Sequence, residues 1–252
     1  MNRSIPERLA KLHLSGFSNA YMEQLNIEGF QEMSFDDRLS LLLEREELER
    51  ANKSIALRLG KARFKQAAAI EDLKASAARG LDRSTINTLS NCDFIRQKRN
   101  LIITGASGCG KSFLATALSH RACLLGFTAR YFRAPSLLLE LELARLEGTL
   151  HKKIAQLSRI NVVIIDDFLL SALNEAEQKD IFELIEERHQ SVSTIFTSQN
   201  PVSLWHSLMP NPAIADAILD RISNVALRIE LKGDSLRKKQ MPELDLATVS
   251  QA

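Results

Sequence analysis

Short apolar runs alternate with longer amphipathic stretches over the second half of the chain. Short runs of apolar residues are typical of buried strands, and apolar positions spaced three and four apart are typical of helices. On this basis we predict strands at 100–104, 129–133, 162–165, 193–197 and 225–231. We predict helices at 113–125, 136–158, 174–190 and 213–223.

The first quarter of the chain has helical spacing instead. Ile5, Leu9 and Leu12 follow one another at helical intervals, and between residues 35 and 66 one glycine, Gly60, and no proline interrupt a second helical segment. We therefore predict a helical N-terminal domain at 1–66, a connector at 67–97, a larger domain at 98–240 and a flexible tail at 241–252.

The turn after the strand at 100–104 fits the pattern G-x-x-x-x-G-K-[ST], which between a strand and a helix is a phosphate-binding loop. Its residues are Gly105, Ala106, Ser107, Gly108, Cys109, Gly110, Lys111 and Ser112. Glycines let the backbone N–H groups turn towards phosphates, and the following helix adds the positive end of its dipole.

Lys111 and Ser112 give this loop its chemistry. A lysine here reaches the β and γ phosphates as a mobile point charge, and the serine hydroxyl is a ligand for Mg²⁺. We therefore predict ATP and Mg²⁺ as cofactors. The alternative is a glycine turn with a surface lysine, but Gly-Lys-Ser directly after an apolar strand has little structural purpose.

Polar residues follow two of the predicted strands. Asp166 and Asp167 end the run at 162–165, and in NTPases with this loop the first acid holds Mg²⁺ through water while the second polarises the attacking water. Doubly wound folds place ligands at this edge of the sheet. The alternative is a buried strand ending at a polar turn. We also predict that Ser198 or Gln199, after the strand at 193–197, senses the γ phosphate.

Composition excludes several classes of protein. The 252 residues are 45% hydrophobic, enough for a real core, and contain no run of eighteen apolar residues. The N-terminus lacks the apolar segment of a signal peptide, so we expect a cytoplasmic location. Three cysteines without a C-x-x-C pair indicate neither a disulfide framework nor a zinc site. A net charge of +2 does not by itself indicate nucleic-acid binding.

Basic residues are nevertheless concentrated in two helical segments. In the first, five of six cations fall within an arc of about 140° if the helix continues to residue 66. These segments could contact the phosphates of DNA, although pairing with acids elsewhere is at least as good an explanation on sequence alone. The candidate contacts are Arg50, Lys53, Arg58, Lys61, Lys65, Arg145, Lys152, Lys153 and Arg159.

Taken together, these motifs resemble the AAA+ ATPases of the IstB and DnaC type, and most closely the IstB family of helper ATPases in insertion-sequence transposition. The resemblance covers nearly the whole chain. It includes the phosphate loop, Asp166-Asp167, the Arg79-Gly80-Leu81-Asp82 connector and, most specifically, the run from Thr197-Ser198-Gln199-Asn200-Pro201 through Trp205-His206 to Asp220-Arg221.

The resemblance implies an α/β P-loop NTPase domain of the AAA+ class after a small all-helical domain. Its parallel sheet would have five strands, with the phosphate-loop strand between the last and fourth strands and the Asp166 strand beyond. It also implies self-assembly into a ring or spiral, in which Arg221 completes the neighbouring subunit's site. Arg237 would match the family's second sensor arginine.

Two departures from the family pattern matter. Many AAA+ proteins have glutamate where Asp167 stands, and the shorter side chain would hold the water less closely, so we expect slow hydrolysis. The chain also ends about thirty residues after Arg221. We therefore expect a truncated lid.

These observations predict an ATP-dependent, DNA-binding assembly factor that oligomerises on duplex DNA and engages a transposase, with slow ATP hydrolysis stimulated by DNA or a partner. Three alternatives remain. A DnaC-like helicase loader would prefer single strands, a P-loop phosphotransferase would act as a monomer without DNA, and a DNA-binding module with an inert ATP site would bind nucleotide weakly.

Overall fold

The computed structural model describes residues 4–224 and 226–236. The chain divides into two compact units, Met1–Gly60 and Lys61–Ala252. The division falls six residues before the boundary predicted at residue 66. We describe each unit by itself.

The first unit is helical. It contains α1 (Ile5–Lys11), α2 (Ser15–Asn26) and the first part of α3 (Phe35–Ala62), with a short 3₁₀ turn at Phe30–Glu32. Gly16 lets α2 approach α3 closely, because a Cβ atom at this position would lie 2.8 Å from the carbonyl oxygen of Arg45. The carboxylate of Glu46 accepts hydrogen bonds from the Phe17 N–H and the Arg50 guanidinium, which lower the pKa of Glu46.

The helix predicted to continue to residue 66 ends earlier. Arg63 has a φ of 53°, in the left-handed region, directly after the last residue of α3. A left-handed residue after the last turn stops a helix. Arg63 and Lys65 therefore lie outside the helix, and the helical basic face is reduced to Arg50, Lys53, Arg58 and Lys61.

The second unit begins with short elements. They are 3₁₀ turns at Ile70–Asp72 and Ala77–Arg79, α4 (Arg83–Ser90) and α5 (Asp93–Arg96). The carboxylate of Asp82 caps α4 by accepting the N–H of Thr85 at 2.7 Å.

Five parallel strands then form one sheet. They are β1 (Leu101–Gly105), β2 (Ala129–Arg133), β3 (Val162–Asp166), β4 (Ser193–Ser198) and β5 (Leu227–Leu231). The strand order is β2-β3-β4-β1-β5. This order confirms the predicted fold, with β1 between β5 and β4 and with β3 beyond β4.

Helices cover the sheet. They are α6 (Lys111–Leu124), α7 (Ala134–Leu146), α8 (Leu150–Ser158), α9 (Glu175–Arg188) and α10 (Pro212–Ser223). The single helix predicted at 136–158 is wrong, because Gly148 adopts a φ of 68° and separates α7 from α8. Two 3₁₀ turns, Val202–Leu204 and His206–Leu208, were not predicted.

Alternate strand residues serve the two faces of the sheet. On one face Phe132, Val163, Ile165 and Phe196 join a buried cluster with residues of α7 to α10. Tyr131, Asp166 and Thr197 occupy alternate positions and so face the other side, which α6 covers. Because all five strands are parallel, their carboxyl ends share the edge where the phosphate loop lies.

Arg188, at the end of α9, is a buried arginine whose guanidinium is held by uncharged hydrogen-bond acceptors. Its guanidinium donates to the carbonyl oxygens of Leu157, Ile160 and Ser193 and to the hydroxyl of Thr194. Burial lowers its pKa to about 9, so it remains charged at neutral pH. Arg188 thus ties α8 and the start of β4 to α9.

We expect Arg188→Met to lower the free energy of unfolding by about 3 kcal/mol, because the hydrophobic stem is retained while several buried acceptors lose their donor. Urea denaturation measures this change. The matched control, Arg159→Met, alters an exposed residue next to α8 and should change stability by less than about 0.5 kcal/mol. Equal effects of the two substitutions would contradict this role.

Candidate nucleotide-binding site

The phosphate loop depends on its glycines. Gly105, Gly108 and Gly110 have φ values of 144°, 79° and 101°, which side chains other than glycine rarely adopt. A Cβ atom on Gly105 would also lie 2.2 Å from the carbonyl oxygen of Leu231 in the neighbouring strand. The loop conformation therefore requires glycine at these positions.

Lys111 is the first residue of α6 and is 5% exposed. Its Nζ atom donates to the carbonyl oxygens of Gly105 and Ala106, each at 2.8 Å. The loop thus holds the ammonium group over its own backbone at the N-terminus of a 14-residue helix. Cation and helix dipole together favour an anion at this point.

Two carbonyl oxygens of the phosphate loop accept hydrogen bonds from residues outside the loop. Arg79 donates from Nη2 to the carbonyl oxygen of Cys109 at 3.1 Å, and the N–H of Leu236 donates to the carbonyl oxygen of Gly108 at 3.0 Å. Since the C=O and N–H of a trans peptide point in opposite directions, Arg79 directs the Gly110 N–H to the other side of the chain. Arg79 is therefore a further functional candidate, within the predicted connector at 67–97.

Asp166 lies directly beside the loop. Its side chain is buried, and its Oδ1 atom accepts hydrogen bonds from the Ser112 hydroxyl at 2.7 Å and from the Thr197 hydroxyl. Its Oδ2 atom accepts from the Tyr131 hydroxyl at 2.6 Å. The structure thus brings together Ser112 and Asp166, the two residues predicted to hold Mg²⁺.

Asp167 has a different environment. It has a φ of 58°, its N–H donates to the Thr197 hydroxyl at 3.2 Å, and its carboxylate pairs with Arg133 Nη2 at 3.1 Å. The Asp167 side chain is 21% exposed and that of Arg133 is 47% exposed. This second carboxylate is therefore closer to solvent than Asp166 and is held by an ion pair.

Successive residues at the end of β4 point to opposite faces of the sheet and therefore have different partners. Thr197 contacts both aspartates, whereas Ser198 faces the other side of the sheet and donates to the carbonyl oxygen of Phe168 at 2.7 Å. Gln199 is half-buried. The structure thus brings Thr197 rather than Ser198 to the carboxylates, and Gln199 stays a predicted sensor.

Arg221 lies near the end of α10 and contacts its own subunit. It pairs with Glu186, donates from Nη1 to the Ala217 carbonyl at 3.0 Å and stacks over the Phe182 ring at 5.4 Å. Its side chain is 25% exposed. The structure does not bring it to the phosphate loop of the same chain. Arg237 lies outside the described residues, as does the tail at 241–252.

Several of the predicted DNA contacts have intramolecular partners. Arg50 pairs with Glu46, Lys53 with Glu49, Arg145 with Asp180 and Lys153 with Glu140, and Arg58 donates to Ser54. Pairing with acids, the alternative from the sequence, thus holds for four of these residues. The remaining candidates are exposed residues, namely Lys61, Lys65, Lys152 and Arg159.

The donor set fits Mg²⁺. A hydroxyl and a carboxylate oxygen are the hard ligands that this ion prefers, and it is usually bound by one or two protein groups together with substrate phosphates and water. Residues 4–224 and 226–236 contain no cluster of three or more His, Cys, Asp or Glu side chains that could hold a metal ion.

Sequence reasoning missed Thr197, Tyr131 and Arg133. The signal was present, because Thr197 and Arg133 lie at the carboxyl ends of predicted strands and Tyr131 lies two residues before such an end, and side chains of neighbouring parallel strands meet there. Arg133 and Asp166 are partners in the β2–β3 register. Strand order together with this register is needed to predict these contacts.

The fold and the site define a P-loop NTPase of the AAA+ class. A family model described as IstB-like ATP binding protein matches residues 7–243. The chain belongs to this family, which confirms the resemblance found in its sequence, and ATP is the ligand that the family binds.

Two relatives of similar sequence carry names that agree with this family. A Sinorhizobium fredii protein named as an insertion sequence ATP-binding protein is 41% identical over 234 residues, 93% of this chain and 96% of the relative. A Pseudomonas fluorescens protein named as an insertion sequence ATP-binding protein is 41% identical over 204 residues, 81% of this chain and 88% of the relative.

Solved structures support the fold. The DnaC helicase loader aligns with a TM-score of 0.54 at 20% identity, covering 66% of this chain and 97% of the loader. AMPPCP-bound DnaA from Aquifex aeolicus aligns with a TM-score of 0.56 at 15% identity, covering 69% of this chain and 53% of that protein. At these identities the likeness shows the fold alone.

One further property follows from the helices. In the described part of the chain, no helix is both long enough and apolar enough to cross a membrane.

Proposed function

We propose that this chain is an ATP-dependent assembly factor that oligomerises on duplex DNA and engages a transposase in the movement of an insertion sequence. The observation that carries the proposal is the hydrogen bond of 2.7 Å between Ser112 of the phosphate loop and Asp166 of the neighbouring motif. Membership of the IstB-like family and relatives named for insertion sequences support the biological setting.

The residues of the site suit ATP hydrolysis. The loop N–H groups and Lys111 would bind the phosphates, and Ser112 and Asp166 would hold Mg²⁺, which neutralises charge on the phosphates when bound. Asp167 would orient the attacking water once its carboxylate is free of Arg133. Because aspartate reaches less far than glutamate, we expect slow turnover, stimulated by DNA or a partner.

Arg221 would complete the site of a neighbouring subunit. An arginine supplied across an interface stabilises the charge that develops on the transferred phosphate. Its position away from the phosphate loop of its own chain supports a role between subunits. Each site would then be complete only in the assembly.

DNA binding would use the exposed cations. Four of the predicted contacts are exposed residues outside the ion pairs described above, namely Lys61, Lys65, Lys152 and Arg159. Contacts to phosphates neutralise charge and make binding weaken as salt rises. A role for the paired cations would require them to exchange carboxylates for phosphates.

The test is the ATPase rate per subunit at increasing protein concentration, with and without duplex DNA. We expect the rate per subunit to rise with concentration and to rise further with duplex DNA, because sites form between subunits. A rate independent of both would favour the phosphotransferase alternative and contradict assembly. In competition, preference for single strands would favour the helicase-loader alternative.

A further inference from the structure

Asp166 is held by three hydroxyl groups from three different elements. Ser112 at the start of α6 and Thr197 of β4 donate to Oδ1, and Tyr131 of β2 donates to Oδ2 at 2.6 Å. A buried carboxylate needs hydrogen-bond donors in place of the water that it loses on burial. The two oxygens are therefore distinguished by their partners: one faces the phosphate loop and the other faces β2.

The sheet register places Tyr131 in this position. Tyr131 pairs with Ile164, and Ile164 pairs with Ile195. Two residues further along the latter strands, Asp166 and Thr197 therefore point to the same face of the sheet as Tyr131. The contact follows from strand pairing and does not depend on a flexible loop.

The Tyr131 hydroxyl lies in a buried environment beside Asp166. The residue is 8% exposed, and burial, followed by the hydrogen bond to Asp166, raises its pKa further above the ordinary value for tyrosine. The phenol donates its hydrogen bond to the Asp166 carboxylate. Its contact to Oδ2 limits rotation of the carboxylate.

We propose that Tyr131 is a positioning residue of the ATPase site, which orients the Asp166 carboxylate so that Asp166 and Ser112 can hold Mg²⁺ together. This inference rests on the proposed ATPase function of the site. Tyr131 acts through Asp166 and does not itself reach the phosphate loop in the contacts described. Arg133, the other β2 side chain at this edge, contacts Asp167 instead of Asp166.

The test is Tyr131→Phe, which removes one hydroxyl and keeps the ring. Binding of a fluorescent ATP analogue is measured at increasing Mg²⁺ and, separately, in EDTA. We expect the Mg²⁺ concentration for half-maximal enhancement of binding to rise about tenfold, as loss of one hydrogen bond to a charged group implies. Binding in EDTA should be unchanged, because the phosphate loop is intact.

Tyr21→Phe is the matched control, since Tyr21 is the other tyrosine of the chain and lies in α2. The positioning role would be overturned if nucleotide binding by both variants depended equally on Mg²⁺ and Tyr131→Phe lowered only the thermal stability. A wild-type protein whose nucleotide binding ignores Mg²⁺ would instead contradict the proposed function. The two failures are therefore distinguishable.

Discussion

Replacing Lys111 by alanine is expected to weaken ATP binding at least about hundredfold and to abolish ATP-driven assembly on DNA. The ammonium group lies over the loop backbone, 2.8 Å from the carbonyl oxygens of Gly105 and Ala106. Its loss removes the cation that would meet the β and γ phosphates, and charge-assisted hydrogen bonds of this kind are each worth about 1.5–3 kcal/mol. Titration with a fluorescent nucleotide measures affinity, and light scattering with duplex DNA measures assembly.

Lys179→Ala is the matched control, because Lys179 is an exposed residue of α9 away from the loop. It should bind nucleotide and assemble like the wild type. Unfolding of the Lys111 variant is followed in parallel, since the side chain also bonds to its own loop. Assembly of Lys111→Ala on DNA that is equal with and without nucleotide would contradict the ATP-dependent mechanism.

The strands and the phosphate loop could be predicted because each depends on local sequence. Parallel strands covered on both faces are short apolar runs, and 162–165 and 100–104 are runs of this kind. The glycines of the loop are fixed by backbone conformation and by the close approach of Leu231. The order of the strands came from the family resemblance, because periodicity does not specify which strands are neighbours.

The features that the sequence analysis predicted wrongly or missed depend on single residues or on contacts between distant segments. Gly148 ends α7 and Arg63 follows the end of α3 in the left-handed region, although apolar and charged spacing continues past both positions. Thr197 and Tyr131 reach Asp166 only because three strands align in register. Side-chain partners such as Glu186 for Arg221 depend on helix packing, which has no pattern in the sequence.

Arg221→Ala is expected to lower DNA-stimulated ATP hydrolysis about a thousandfold while leaving nucleotide affinity near that of the wild type. An arginine that enters a neighbouring site contributes about this much to phosphoryl transfer, and it adds little to binding of ATP by the loop of its own subunit. Turnover in assembled protein on duplex DNA measures the first quantity, and nucleotide titration measures the second.

The intramolecular contacts of Arg221 provide a matched control. Glu186→Gln removes the carboxylate that pairs with Arg221 but keeps the guanidinium available to a neighbour. If Arg221 only stabilises the packing of α9 and α10, both variants should lose activity alike. If it acts between subunits, Glu186→Gln should retain hydrolysis, because the ion pair that holds the arginine within its own subunit is weakened.

Mixing two inactive variants tests directly whether Arg221 acts in the site of a neighbouring subunit. A subunit with Arg221→Ala keeps its phosphate loop and Asp167, and a subunit with Asp167→Asn keeps its phosphate loop and Arg221, so both can bind ATP and assemble. Where the two are neighbours on DNA, the second subunit supplies the guanidinium to the ATP of the first, so we expect mixtures to regain a measurable fraction of wild-type hydrolysis. Activity that stays at the level of the separate variants at every mixing ratio, although both are present in the same assemblies, would place Arg221 outside the neighbouring site.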